Sequence, residues 1–295
     1  MTLLILLKIS LVIFIAGNLL EMGLKLNPGD AFRGLRSVRF VAYTLLWGFV
    51  VGPGLAYGIS LVIPLDPPYA LGLILLGMAP SAPFLPMLVN KAKGDIGFTA
   101  AFMVLISFGT VVCMPLTAPL LAKGLSVSPW TIAKPLVLMI LLPLALGMSI
   151  LRWNKNQAKK FNPIVKKTTG VLALTTVFLS VMVYGKGLTG VGGSYAIVAL
   201  LIFFTVMTGV SYWFSFGLKH SQRIILSIGM STRNLGAAVA PLLSLPVMDE
   251  RTIVMVVLAL PLMILSALVA TKWFGMHAPR EQTSVGPSTF DTPTH

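Results

Sequence analysis

The sequence predicts an all-α membrane protein of about nine transmembrane helices, and three observations predict it. Of its 295 residues 56% are hydrophobic and only 10% are charged, where a soluble domain carries about 25% charged residues. Mostly apolar runs long enough to cross a bilayer, about 18 residues or more, recur from one end of the chain to the other. Basic residues also gather in every second connection between those runs, the pattern that membrane insertion imposes on cytoplasmic loops.

Polar and Pro/Gly breaks divide the apolar runs into spans at about residues 3–22, 40–63, 69–89, 97–121, 131–151, 168–186, 194–218, 222–245 and 252–275. The first run could be mistaken for a cleaved leader. It lacks a basic start and a small-residue cleavage site, and Glu21-Met22-Gly23-Leu24 follows it directly, so it reads as a retained helix. Lys8 lies about two turns from the outer end of that helix and reads as a snorkelling side chain, and Glu21 as a solvated terminus. No soluble domain remains once the spans are removed, and residues 276–295, rich in Pro, Ser and Thr, read as a disordered tail.

Charge then orients the spans. Lys25, Arg33, Arg36 and Arg39 follow span one; Lys91 and Lys93 follow span three; Arg152, Lys155, Lys159, Lys160, Lys166 and Lys167 follow span five. With Lys219 and Arg223 after span seven and Lys272 and Arg280 after span nine, one side holds sixteen basic residues. The other side holds four: Lys123, Lys134, Lys186 and Arg251. The richer side is cytoplasmic, which places the N-terminus outside and the C-terminus inside. The net charge of +14 is thus a topology signal and calls for no nucleic-acid partner. The stretch Arg152–Lys167 reads as the longest internal connection, joining two groups of helices. Several of Trp47, Trp130, Trp153 and Trp273 fall at span ends, where amphipathic rings favour the headgroup region.

Two spans do not read as plain lipid-facing helices. Span three runs Gly77-Met78-Ala79-Pro80-Ser81-Ala82-Pro83-Phe84-Leu85-Pro86. Each of its three prolines removes a backbone donor and clashes with the turn before it. Span eight runs Gly229-Met230-Ser231-Thr232-Arg233-Asn234-Leu235-Gly236, with an arginine about eleven residues from either end. A cation so near the midplane costs roughly 2.5–3.5 kcal/mol on insertion scales and marks function by default. Freed backbone survives at membrane depth only inside protein or beside a cavity. Both segments open on Gly-Met and lie five spans apart, so equivalent helices cross in opposite senses, as an inverted repeat requires. Paired interrupted segments of this kind are the sequence mark of a transporter's site. Half-helix N-termini there would offer partial positive charge to a carboxylate.

Other classes find little support. A single cysteine, Cys113, gives no disulfide framework, and His220, His277 and His295 sit at edges or in the tail. No metal centre, organic cofactor or catalytic constellation is expected, because no intramembrane His, Asp or Glu cluster exists to build one. A receptor would bring a soluble output domain.

The chain resembles the bile acid:sodium symporter superfamily over nearly its whole length. The resemblance is carried by Met22-Gly23-Leu24-Lys25-Leu26 with Asp30-Ala31-Phe32, by Leu76-Gly77 before Pro80, and by Ala92-Lys93-Gly94-Asp95. It continues in Pro115, Pro119 and Arg233-Asn234, the last where the family usually shows Gln-Asn. It implies one transporter unit over residues 1–275, with panel helices at about 3–22 and 131–186 and core helices at about 40–121 and 194–275. It also implies a site at the crossing of the two broken helices. A tenth, N-terminal helix found in some members is not expected. The departures concern sodium: the family's Ser-Asn pair in the first broken helix is Leu85-Pro86, its glutamate is Gly229 and its glutamine is Arg233. Sodium wants several oxygen ligands and will not sit beside a guanidinium, so the resemblance, read with these changes, implies that the sodium sites are absent.

The expectation is therefore a secondary transporter of a small organic anion in a plasma membrane, that of a bacterial cell, working without sodium. Arg233, Asn234, Thr232, Ser231 and Ser81 are the expected solute contacts, and Pro80, Pro83, Pro86, Gly77, Gly229 and Gly236 are expected to shape the breaks. Arg233 either pairs with the anion through its fork or replaces sodium as a permanent cation among carbonyl dipoles. The alternatives are export of a metalloid or neutral solute, or sodium coupling through unusual ligands.

Overall fold

The computed structural model describes residues 2–277 apart from 27, 122–127, 190, 192 and 243–248. The expected tail beyond His277 and Lys123 lie outside the described residues. A helix satisfies its polar main chain within one segment, as hydrocarbon demands, and the described residues are accordingly almost all helical. In chain order they are α1 (Thr2–Gly23), α2 (Pro28–Leu35), α3 (Val38–Val62), α4 (Pro67–Gly77), α5 (Leu85–Lys91) and α6 (Ile96–Leu121). These are followed by α7 (Pro129–Trp153), α8 (Lys155–Thr189), α9 (Ala196–Trp213), α10 (His220–Ser231), α11 (Leu235–Val239) and α12 (Glu250–Met276). Seven of these helices are long and apolar enough to cross a membrane. The segments expected as spans three and eight are the pairs α4/α5 and α10/α11, each interrupted.

Helix α3 carries one π turn, Trp47–Val51, and α7 carries another, Val137–Leu141. Each precedes a proline, Pro53 or Pro143, by one residue. The proline has no N–H to give, and the residue before it donates one position further back instead, Gly52 to Trp47 and Leu142 to Val137. Trp47 thus belongs to the protein interior, 6% exposed, and not to a span end; Trp130, Trp153 and Trp273 remain exposed.

The stretch expected to connect two groups of helices is itself helical. Helix α7 stops at Trp153 because Asn154 turns extended, and the Asn154 side chain accepts the N–H groups of Asn156 and Gln157 to start α8 at once. The resulting 35-residue helix is about 52 Å long at 1.5 Å per residue, well beyond a hydrocarbon core of roughly 30 Å.

Helices α1, α7 and α8 pack on one another. Between α1 and α8 the packing is antiparallel: Ser10 and Thr176 share a buried hydrogen bond of 2.8 Å, and Gly17 faces the Thr169 methyl. Helices α3, α4, α9, α10 and α12 pack together on the other side, with α5 and α11 between. Near the start of α12, Arg251 bridges Asp249 at 2.8 Å and Asp66 at 2.9 Å, tying two connections together. The Arg251 hydrogen bonds hold the Asp249 carboxyl below the usual carboxylate range.

Candidate functional site at the crossing of two broken helices

The breaks at Pro80 and Arg233 lie against each other and exchange backbone hydrogen bonds as a single antiparallel bridge. Ser81 N donates to Thr232 O at 2.8 Å, and Asn234 N donates to Ala79 O at 2.9 Å. Each break thereby satisfies main-chain groups that the other leaves without a helical partner, as burial inside a membrane protein demands. Thr232 adds a third tie by accepting the Ala82 N–H on Oγ1 at 3.1 Å. Ser81 takes the left-handed conformation, φ +64°, a region a non-glycine residue enters only when its surroundings over-determine it.

Arg233 is the largest of the fully buried side chains, at 0% exposure. Its Nη2 donates to Met230 O at 3.0 Å and its Nη1 reaches Gly77 O at 3.5 Å, while its Cζ lies 4.7 Å from the centre of the Phe203 ring. Gly77 ends α4 and Met230 lies in the last turn of α10. Carbonyls at helix C-termini are unpaired and carry the negative end of the helix dipole. One guanidinium therefore sits against two such ends at once, with an aromatic face as a third partner.

The neighbours are committed locally as well. Ser231 Oγ donates to Ile228 O at 2.8 Å, and Thr232 Oγ1 to Ile228 O at 3.1 Å; both residues are 0% exposed. Asn234 caps α11 by accepting the Ala237 N–H at 3.1 Å. Asn234, Ser81, Pro80 and Pro83 line a void of about 10 Å³ together with Ser107 and Thr110 of α6. That is close to the least space a single water needs.

The expected break residues divide into two kinds. Pro80 and Pro83 lie in the interruption, whereas Pro86 is already in the first turn of α5, where a missing N–H costs nothing. Gly77, Gly229 and Gly236 lie within the half-helices, and close packing accounts for them. A Cβ at Gly77 would stand 2.8 Å from Ala56 Cβ; at Gly229, 2.3 Å from the Phe102 ring; at Gly236, 2.3 Å from Ile15 Cγ1.

A cavity of about 950 Å³ lies beside the crossing, between α1 and α8 on one wall and α5, α6, α11 and α12 on the other. Its walls are mainly apolar, including Leu11, Phe14, Val177, Val257 and Leu260. Lys8, Asn18, Glu21 and Lys25 of the α1 segment and Lys166, Thr169 and Thr176 of α8 add polar groups. Of the expected contacts and break residues, only Pro83 and Pro86 line this cavity; Arg233, Thr232, Ser231, Asn234 and Ser81 do not. Reading the composition span by span hides such a wall. A helical signal was nevertheless present, since Lys8, Leu11, Phe14, Asn18, Glu21 and Lys25 recur every three or four residues along one face.

Among proteins of known description, the chain is 24% identical over 246 residues to a rice protein (Oryza sativa subsp. japonica) described as "Probable sodium/metabolite cotransporter BASS2, chloroplastic", covering 77% of this chain. It is 23% identical over 230 residues to an Arabidopsis thaliana protein described as "Probable sodium/metabolite cotransporter BASS1, chloroplastic", covering 76% of this chain. The chain spans 57% of the length of each of these relatives. The sodium bile acid symporter family model matches residues 12–190, well over half of a chain with interrupted crossing helices and a lined cavity beside them, and the chain belongs to that family of membrane transporters.

Proposed function

We propose that the protein carries a small organic anion across the membrane by alternating access and that it does so without sodium. The observation that carries this reading is the seat of Arg233. Its guanidinium already occupies the ends of α4 and α10 through Gly77 O and Met230 O, next to the positions at which the family's sodium ligands are expected. A fixed cation there does electrostatically what a bound sodium ion would do, and it repels a second cation. Gly229 supplies no carboxylate, and Phe102 fills the space a side chain at that position would need.

The solute occupies the cavity of about 950 Å³, whose position beside the crossing lets either half-helix pair respond to it. Helices α1, α7 and α8 form the panel, and the helices around the two breaks form the core that moves against it. The orientation follows the charge bias, N-terminus outside, so that Glu21, Lys25 and Lys166 mark the cytoplasmic end of the cavity. The test is flux in proteoliposomes with a panel of labelled mono- and dicarboxylates, first in sodium and then in choline at equal pH and ionic strength. Uptake or exchange of at least one acid at equal rate in both media is expected. Loss of most flux in choline would show that other oxygens hold sodium, and flux of neutral solutes alone would exclude an anion carrier.

A further inference from the structure

Lys8 is assigned no role by the crossing; it is exposed, as a snorkelling side chain would be, and it also lines the cavity. The exposed, lipid-facing stripe of α1 runs through Ile5, Ile9 and Ile13. Lys8 precedes Ile9 by one residue and is turned about 100° from it, onto the flank of the face that lines the cavity with Leu11, Phe14 and Asn18. The antiparallel register set by Ser10–Thr176 and Gly17–Thr169 brings Lys8 level with residues 177–180 of α8, and Val177 and Ser180 share the cavity wall with it.

The cavity is electrically lopsided. Its one acidic lining residue, Glu21, already accepts a hydrogen bond from Lys25 in the same wall. Among the described residues Lys8 has no acidic partner. Ile15 packs against Gly236 at the level of the crossing, and Lys8 stands seven residues, about 10 Å, beyond it towards the N-terminus. Glu21 and Lys25 lie on the opposite side of that level. Between the two poles the wall is uncharged: Leu11, Phe14, Ala173, Val257 and Leu260, with the polar groups of Asn18, Thr169 and Thr176 among them. Lys8 is thus an exposed ammonium group at one end of the cavity wall, placed to meet an anion that enters.

Resting on the anion-carrier reading above, we propose that Lys8 is the group that receives the solute's carboxylate, with the rest of the solute lying along the uncharged stretch of the wall. Specificity then comes from the panel side of the cavity, while Arg233 holds the crossing together.

The test uses the purified full chain, with octanoate as probe, 1-octanol as its neutral counterpart, and calorimetric titration as readout. Octanoate is expected to bind the wild type, and Lys8→Met to weaken it about 10- to 150-fold, the worth of one charge-assisted hydrogen bond. Lys8→Arg should retain most of the affinity, and 1-octanol should bind wild type and Lys8→Met alike. Binding of octanoate unchanged in Lys8→Met, its loss in Lys166→Met instead, or no octanoate binding to the wild type would each overturn the assignment. Flux separates this from the carrier reading. Lys8-dependent octanoate binding with no acid transported would leave the site standing and remove the carrier; acid flux untouched by Lys8→Met would do the reverse.

Discussion

Replacing Arg233 by glutamine tests whether a built-in cation holds the two broken helices together. The change removes a hydrogen bond to Met230 O at 3.0 Å, a longer one to Gly77 O at 3.5 Å and a cation–π contact at 4.7 Å. A hydrogen bond from a charged group is worth about 1.5–3 kcal/mol, a cation at a partly buried helix C-terminus up to about 2 kcal/mol, and a desolvated cation–π pair about 2 kcal/mol. These overlap, because one charge supplies all three, and relief of the burial cost of the guanidinium offsets part of them. A net loss of about 2–4 kcal/mol is expected, and thermal unfolding in detergent should fall by roughly 4–16 °C on the scale of a chain this size. Arg233→Lys should fall between, since it keeps the charge and loses the fork. The wild-type midpoint should not respond to exchange of sodium for choline. Restoring a sodium response needs a carboxylate as well, and Gly229→Glu alone will not supply it, because its Cβ would meet the Phe102 ring at 2.3 Å. The triple change Arg233→Gln, Gly229→Glu, Phe102→Ala is the variant expected to gain a sodium-dependent midpoint. An Arg233→Gln protein that melts with the wild type would refute the reasoning, whatever the triple variant does.

Gly236→Ala, whose Cβ would approach Ile15 Cγ1 to 2.3 Å, should cost about 1–3 kcal/mol by overpacking. Gly58→Ala, with nothing within 4 Å, should leave the melting point unchanged or slightly raised, and differential scanning fluorimetry compares the two. Reporter fusions at Lys159 and after residue 277 should read cytoplasmic and one at Asp66 external; a cytoplasmic signal at Asp66 would invert the charge-based orientation. The Asp249 carboxyl is held low by the Arg251 hydrogen bonds. A folded-state value below the unfolded one means that its stabilisation is present above about pH 4 and is lost as pH falls through the folded value. Asp249→Asn should therefore flatten the acid limb of the stability profile below about pH 5, and an unchanged limb would assign the loss to other groups.

The sequence by itself determined that the chain belongs in a bilayer and which two of its apolar segments could not be continuous. Hydropathy acts one segment at a time, and Pro80 and Pro83 remove main-chain donors that a helix continuing through Ser81 would use. Packing between distant segments was beyond reach of any such reading. Arg233 stood near the middle of a span in the sequence, equally able to face a solute or a carbonyl; Met230 O lies in its own segment, but only the meeting of the two breaks put Gly77 O within its grasp. Gly229 and Gly236 are expected from the sequence to shape the breaks, yet their small size is required by Phe102 and Ile15, which come from helices far off along the chain. Lys8 reads from the sequence as a snorkelling side chain, and it is exposed, but depth along one helix gives no sign that it also lines a cavity. Its place on a cavity wall depends on the register of α1 against α8, set by Ser10 meeting Thr176, and that is a property of two surfaces in contact, which no single stretch of sequence contains.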